Sequence, residues 1–288
     1  HDIFTFDKEV GAFEDARVDP VENGPLRAAI RVRTRHGCSE LTQIFSLQAG
    51  SRELQVECLL TLSEKHKIVK LAFPIKAGSP RAVYSMPFGF ITKACDGREE
   101  PAQMWAGVFD EESGAGMALI NDAKYSFCAK GGELRMIAGR AAIYADHGSP
   151  RGDWAEYQDQ GEQRFSYALR PYSQSDPSDV ARSAALMNQP VHVVLETHHD
   201  GPLDNRYAGI DISAGNVLCQ TVKRAEDGGA YIARLYEVAG KSARARVHFA
   251  MLGATAELAF GPQEIKTLRI EPDGSWREVL MTEYELGE

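Results

Sequence analysis

Apolar and polar residues alternate with period two along most of the chain, and that pattern limits it to pleated sheet. The stretch Arg27-Ala28-Ala29-Ile30-Arg31-Val32-Arg33 sets Ala28, Ile30 and Val32 on one face and Arg27, Arg31 and Arg33 on the other. Thr42 to Leu47 and Glu53 to Leu62, joined through Ala49-Gly50-Ser51, predict a hairpin. Further strands are predicted at Ile68 to Phe73, Gly116 to Ile120, Glu133 to Ile137, Arg164 to Leu169 with Pro171 as its stop, and His192 to Glu196. Helical periodicity is confined to Asp179 to Met187, with Ser178 as N-cap and Asn188-Gln189-Pro190 as the stop. The polar turn His198-His199-Asp200-Gly201-Pro202 makes a domain boundary. Strands resume beyond it at Val217 to Lys223, Ala230 to Glu237, Ala245 to Met251, Ala256 to Phe260 and Ile265 to Ile270, with Asp227-Gly228-Gly229 as a hairpin turn. The expected fold is all-β, its last block a compact β-sandwich.

Composition excludes several functions. A net charge of -9 argues against a nucleic-acid surface, and no apolar run approaches the ~18 residues of a spanning helix. The five cysteines (Cys38, Cys58, Cys95, Cys128, Cys219) are scattered, with no C-x-x-C spacing for a metal. Cys58 and Cys128 read as small buried hydrophobes, and reduced thiols suggest a cytoplasmic protein. The start at His1-Asp2-Ile3-Phe4 reads as an excised piece of something longer.

Tyr157 to Tyr172 is the stretch richest in chemistry. A polar loop hinged at Gly161 runs into a strand with Phe165, Tyr167 and Leu169 on one face. Polar side chains at the mouth of a β scaffold suit sugar hydroxyls. The loop from Tyr144 to Gln163 supplies Asp146, His147, Arg151, Asp153, Asp159 and Gln163, and Trp154 is the best placed of the three tryptophans to stack on a sugar. The competing reading makes these solvated loop residues, with Asp159 bonded to backbone N–H groups. Asp122, Lys124 and Tyr125 offer a second polar rim, or else a turn capped by Asn121 or Asp122. Glu64 and His66, at i and i+2 of an extended segment, would point the same way, but no third metal ligand accompanies them. His198-His199-Asp200 is better explained as a turn than as a metal cluster. Trp105 and Trp276 are assigned to the core.

Several motifs resemble those of glycoside hydrolase family 38, the α-mannosidases, and occur in that family's order. Val21-Glu22-Asn23-Gly24-Pro25-Leu26-Arg27 is similar to its "VENGPVRA" entry strand, and Glu64 to Pro74 to "E-x-H-K-x-x-K-x-x-F-P". Phe88-Gly89 matches "PFG", and Asn121 to Tyr125 matches "ND-x-KYG" with Ser126 for Gly. Asp159, Gly161, Phe165, Tyr167, Leu169 and Pro171 match "D-x-G-x-x-x-F-x-Y-x-L-x-P". Arg234 to Glu237 and Glu264 to Leu268 resemble "RLYE" and "EIKTL". Gln163 and Tyr172 stand where many members have His, so no role carries over to those two positions.

The resemblance implies a large β-supersandwich of galactose-mutarotase type over residues 1–200, lacking its first strands, and a small C-terminal β-sandwich over 201–288. It implies retaining α-mannoside hydrolysis by an Asp nucleophile and a carboxylic general acid, with a divalent metal, usually zinc. Those groups belong to an N-terminal α/β-barrel domain with no counterpart here. The chain therefore reads as a non-catalytic C-terminal fragment without its own cofactor. Its expected partners are that catalytic domain and an α-mannoside or oligosaccharide, with a homo-oligomer left open and no nucleic acid or membrane. Arg151, Asp153, Trp154, Asp159, Gln163 and Asp122 are the candidate substrate-binding residues in the whole enzyme. Rival readings are a stand-alone carbohydrate-binding module and an aldose-epimerase-like enzyme. The second needs a convergent acid/base pair, whereas His66, His192 and His248 are isolated.

Overall fold

The computed structural model describes residues 8–143, 156–202 and 204–285. These form two compact units, one from the stretches up to Ser85, Thr92–Gln174 and Ser183–Asn188, the other from Met86–Ile91, Ser175–Arg182 and Gln189 onward. The strands up to the helix are β1 (Glu14–Asn23), β2 (Arg27–His36), β3 (Ser39–Gln48), β4 (Leu54–Leu62), β5 (Ile68–Pro74), β6 (Pro80–Met86), β7 (Gly89–Ala94), β8 (Asp96–Pro101), β9 (Trp105–Asp110), β10 (Ala115–Asn121), β11 (Ser126–Lys130), β12 (Glu133–Arg140) and β13 (Gly161–Ser173). They build a nine-stranded sheet in the order β1-β2-β3-β4-β13-β10-β9-β6-β7 and a four-stranded sheet in the order β5-β12-β11-β8. The strand pairings are antiparallel, which gives the all-β fold that the alternation predicts and the large sandwich that the family resemblance implies.

The core of the first unit lies between these two sheets. Leu60, Leu62, Leu119 and Tyr167 from the large sheet meet Phe127, Leu134 and Met136 from the small one, all at most 2% exposed. Phe73 meets Tyr167 edge-on at 5.3 Å. The Tyr167 hydroxyl accepts a bond from Gln43 Nε2 at 2.9 Å, which satisfies the one polar atom of that buried ring. Burial pushes the neighbouring Cys58 thiol up to about 12, so it stays neutral.

Two expectations change here. β13 runs through Pro171 to Ser173 instead of stopping. Its pairing with β4 ends at Leu169, while its pairing with β10 continues to Ser173. Pro171 therefore sits where the strand has a neighbour on one side, and its missing N–H is tolerated. His192 to Glu196 forms no strand. Val193, Val194 and Leu195 are 79%, 83% and 95% exposed, and no described strand runs alongside to take their backbone groups.

Among the described residues there is one α-helix, α1, which spans Ser178–Asn188. Ser178 is its first residue, and its hydroxyl makes no capping bond. Asp176 takes the Ser178 N–H instead, at 3.1 Å. Within the first unit, Ser183 bonds the nearly buried Glu53, and Asn188 Nδ2 donates to the Asn121 carbonyl at 3.0 Å.

The second unit contains β14 (Asp211–Ile212), β15 (Val217–Arg224), β16 (Tyr231–Glu237), β17 (Ala243–Phe249), β18 (Ala254–Phe260), β19 (Ile265–Ile270) and β20 (Trp276–Val279). A three-stranded sheet, β14-β17-β18, and a four-stranded one, β15-β16-β19-β20, enclose Leu235, Val247, Phe249, Leu258, Leu268 and Ile270. β18 buries every second residue, Ala254, Ala256, Leu258 and Phe260. This is the predicted small β-sandwich.

One carboxylate ties loops of the first unit together in a pH-dependent way. Asp110 accepts N–H bonds from Ser79 at 2.8 Å, Gly78 at 2.9 Å and Ser113 at 3.0 Å, plus the Ser113 hydroxyl at 2.8 Å. The Ser79 N–H, followed by the Ser113 bonds, lowers its pKa from 3.8 to about 2. A folded pKa below the ordinary value means that the stabilisation is full above 3.8 and is lost as pH falls through about 2. An NMR titration of the Asp110 carboxyl carbon is expected to show that midpoint, and Asp110→Asn to remove this part of the acid sensitivity.

Candidate functional site

β13 runs antiparallel to both β4 and β10. Its first residues therefore lie beside the last of β4 (Gly161 opposite Leu62), and Tyr167 lies opposite Asn121 at the end of β10. β12 of the other sheet ends at the same place, where the Arg140 N–H donates to Asp159 Oδ2 at 2.9 Å. One end of the large sandwich thus collects Glu64 to Lys67, Asn121 to Tyr125 and Tyr157 to Gln163.

At the centre is a chain of polar side chains. Asn121, fully buried, accepts the N–H groups of Lys124 at 2.7 Å and Ala123 at 3.2 Å, and donates to the Gln103 carbonyl at 3.1 Å. Asp122 Oδ1 accepts the Ser166 N–H at 2.8 Å. Lys124 Nζ donates to Gln163 Oε1 at 2.9 Å and lies 4.8 Å from the centre of the Phe165 ring. Gln163 Nε2 in turn donates to the Asp159 carbonyl at 2.7 Å. Burial lowers the Lys124 pKa, and the carboxylates of Asp159 and Asp122 oppose that shift. Asp159 holds a left-handed backbone, φ 54°, in which aspartate is among the more tolerated residues.

A second cluster borders the first. The Tyr157 hydroxyl and His66 Nε2 are 2.9 Å apart, their rings meet edge-to-face at 5.0 Å, and Lys65 Nζ sits 4.9 Å from the Tyr157 ring centre. Gln160 Nε2 donates to the Glu64 carbonyl at 2.8 Å. His66 itself has φ 55° and donates its N–H to Ala141 O at 2.7 Å. The segment is therefore bent rather than extended, and Glu64 and His66 do not act as a pair. Glu64 instead accepts Lys67 Nζ at 2.5 Å and the Cys38 N–H at 3.1 Å, bonds that lower its pKa. Among the described residues no group of three or more His, Cys, Asp and Glu is placed to hold a metal ion.

Of the six candidate substrate residues, Asp122, Asp159 and Gln163 come together at this end. Arg151, Asp153 and Trp154 lie outside the described residues, as do Asp146 and His147. Asp122 and Asp159 each spend one carboxylate oxygen on a backbone N–H, and Gln163 is engaged at both of its amide atoms. Groups with some exposure that are not tied to backbone in this way include Lys65, Lys124, Tyr157 and the His66 ring. The pairing of His66 with Tyr157 spans 91 positions, and no local signal announces it. His198 and His199 are exposed, and His199 Nδ1 faces the Asp200 carbonyl at 3.2 Å. Trp105 is 3% exposed, and Trp276 packs on the second core while donating to Thr255 O at 2.8 Å.

Three other motifs meet inside the second unit. Glu237, fully buried, accepts Asn216 Nδ2 at 2.8 Å and the Ala239 N–H at 2.7 Å on Oε1, and the N–H groups of Lys241 at 3.0 Å and Gln263 at 2.9 Å on Oε2. Gln263 Oε1 then takes the Phe90 N–H at 2.8 Å, where a Cβ on Gly89 would come within 2.3 Å of it. Phe88 meets Tyr236 edge-on at 5.5 Å. The buried carboxylate is an architectural hub. Glu237→Gln would aim an NH₂ group at two N–H donors, and the expected cost is about 2–3 kcal/mol, read as a lower denaturant midpoint for this unit.

Residues 5–148 match the model of the glycosyl hydrolases family 38 C-terminal domain, and residues 216–268 that of the family 38 C-terminal beta sandwich domain. The chain belongs to glycosyl hydrolase family 38, within its C-terminal region. It is 25% identical over 260 residues to alpha-mannosidase G of Dictyostelium discoideum, covering 83% of this chain and 22% of that protein. It is 26% identical over 223 residues to alpha-mannosidase 2C1 of Homo sapiens, covering 74% and 20%. An alpha-mannosidase from Enterococcus faecalis V583 shares the fold with a TM-score of 0.74 at 16% identity, over 89% of this chain and 35% of that one. The chain thus spans about a fifth of the length of these curated relatives. Among the described residues no helix is long and apolar enough to cross a membrane.

Proposed function

We infer that the chain is the non-catalytic C-terminal region of a retaining α-mannosidase. It braces a catalytic domain and lends the loops at one end of its large sandwich to the rim of the mannoside cleft. The observation that carries this reading is the match of both of its β blocks to family 38 C-terminal models, while relatives named alpha-mannosidases are about five times longer than the matched stretch. The bond network supports a division of labour at the rim. Asp122, Asp159 and Gln163 fix the backbone, Lys124, Tyr157 and His66 are left to meet the sugar, and Arg151, Asp153 and Trp154 stay candidate sugar ligands on their residue chemistry. A half-buried ammonium and a tyrosine hydroxyl offer the donors that sugar oxygens accept.

The longer polypeptide should hydrolyse an aryl α-mannoside, and the 288-residue chain should not. In the longer polypeptide, Arg151→Ala and Lys124→Met are expected to lower kcat/KM by about tenfold or more. Unchanged kcat/KM in both variants would remove the rim role and leave only the bracing one. Micromolar glycan binding by the 288-residue chain would instead favour a binding module.

A further inference from the structure

The outer face of the four-stranded sheet is charged, and one sulfur is buried in it. Phe127 and Ala129 of β11, with Leu134 and Met136 of β12, point into the core, so the residues between them point away. Cys128 is one of these, opposite Arg135 on one side and Glu99 on the other. It is 3% exposed but is not part of the core cluster. The sequence suggests a small buried hydrophobe at this position, and the structure surrounds the thiol with charge instead.

Lys70 reaches the same sulfur from β5, two strands away in the sheet. Its Nζ donates to Cys128 Sγ at 3.7 Å and also pairs with Glu99 Oε1. Both side chains are largely withdrawn from water, at 14% and 20% exposure. The second carboxylate oxygen, Glu99 Oε2, is buried and without a hydrogen-bond partner. Burial pushes the thiol pKa up, Glu99 adds to that, and Lys70 and Arg135 oppose it. The thiol is neutral at rest, held between an amine and a spare carboxylate oxygen. Two other thiols have different company: Cys58 meets an amide, Gln43 Nε2, at 3.9 Å, and Cys219 donates to the Thr221 carbonyl at 3.6 Å.

We propose that Lys70 and Cys128 form a redox cross-linking site, joined by hydrogen peroxide into a sulfenamide between Nζ and Sγ. The thiol proton passes to Glu99 Oε2, and the thiolate, flanked by Lys70 and Arg135, attacks one peroxide oxygen. The O–O bond breaks and leaves Cys128 as a sulfenic acid. The hydroxide released takes the proton from Glu99 and departs as water. Lys70, having given one proton to solvent, then attacks the sulfur through the lone pair of Nζ. The S–O bond breaks as the N–S bond forms, and hydroxide leaves as a second water with a proton from the nitrogen. One thiol, one amine and one peroxide give one sulfenamide and two waters, with sulfur oxidised and peroxide oxygen reduced. Because Nζ already stands beside the sulfur, this step is intramolecular and outruns attack by a second peroxide. The bond ties β5 to β11 across β12 and closes a loop spanning 58 positions. It stands apart from the mannosidase reading, since Lys70, Glu99 and Cys128 lie outside the segments of the rim.

Peptide masses from the 288-residue chain test it. The folded chain is treated with hydrogen peroxide, denatured, alkylated at its remaining thiols and digested with trypsin. Residues 68–76, left uncut at Lys70, are expected to be joined to residues 125–130. The joined mass should fall about 2 Da below the sum of the two peptides, and dithiothreitol should release both. Lys70→Arg keeps the positive charge and removes the attacking amine. In that variant the joined peptide is expected to vanish and Cys128 to appear as sulfinic acid. Oxidation of the wild-type chain in urea is the second comparison, and there the link is expected to fall by about tenfold or more. Sulfinic Cys128 without the joined peptide in the folded wild-type chain overturns the proposal. So does a Cys128 still open to alkylation once the exposed Cys38 is fully oxidised, because the thiol is then sealed from peroxide. Equal linkage in urea and in the folded chain overturns it as well, since the folded contact would then play no part.

Discussion

β13 is paired on both sides, and the first unit depends on that register. Phe165 lies opposite Cys58, and Tyr167 lies opposite Val56 on one side and Asn121 on the other. A slip of one residue would turn Phe165, Tyr167 and Leu169 away from the small sheet and bring Arg164, Ser166 and Arg170 into the core. The same register decides what stands at the end of the sandwich. Because Gly161 faces Leu62, the residues just before it fall beside Glu64 to Lys67, and because Tyr167 faces Asn121, Ser166 reaches Asp122. The core and the polar rim are two consequences of one pairing.

The polar residues of the family motifs mostly act on backbone. Asn121, Asp122, Asp159 and Glu237 each accept N–H groups of turns or strand ends that no ladder satisfies. An unpaired buried N–H costs free energy comparable to a lost hydrogen bond, so carboxylates and amides at such positions are as constrained as any reacting group. Motif density is therefore a poor guide to chemistry in this chain. The groups not spent on backbone, Lys124, Tyr157 and the His66 ring, include only one that stands in the densest motif stretch.

Strands with one wet face were legible, because a half-buried strand writes its burial as alternation. β2, β4, β12 and β18 are of this kind. β9 was not: Trp105 to Phe109 are all buried, so both faces are apolar and the period vanishes. β8 failed for the opposite reason, since Asp96-Gly97-Arg98-Glu99-Glu100-Pro101 reads as a charged loop until its partner β11 is known. At the rim, the turn at Asn121 was readable from local chemistry. The left-handed backbone of His66 and its pairing with Tyr157 were not, because both are imposed by β12, through the Ala141 carbonyl, and by the distant return of the chain. Sequence shows what a residue needs; which neighbour supplies it is decided by topology.

Alternation also speaks about partners that are not alongside. Arg27 to Arg33 and His192 to Glu196 are both predicted strands, yet only the first forms one. It has β1 and β3 to take its backbone groups, whereas the second has no neighbour among the described residues. Backbone pairing and face burial are separate demands, and β2 meets the first while leaving the second open at Ile30. Val18, Ile30 and Leu47, on three adjacent strands, stay exposed on that face, opposite a face of ion-paired arginines.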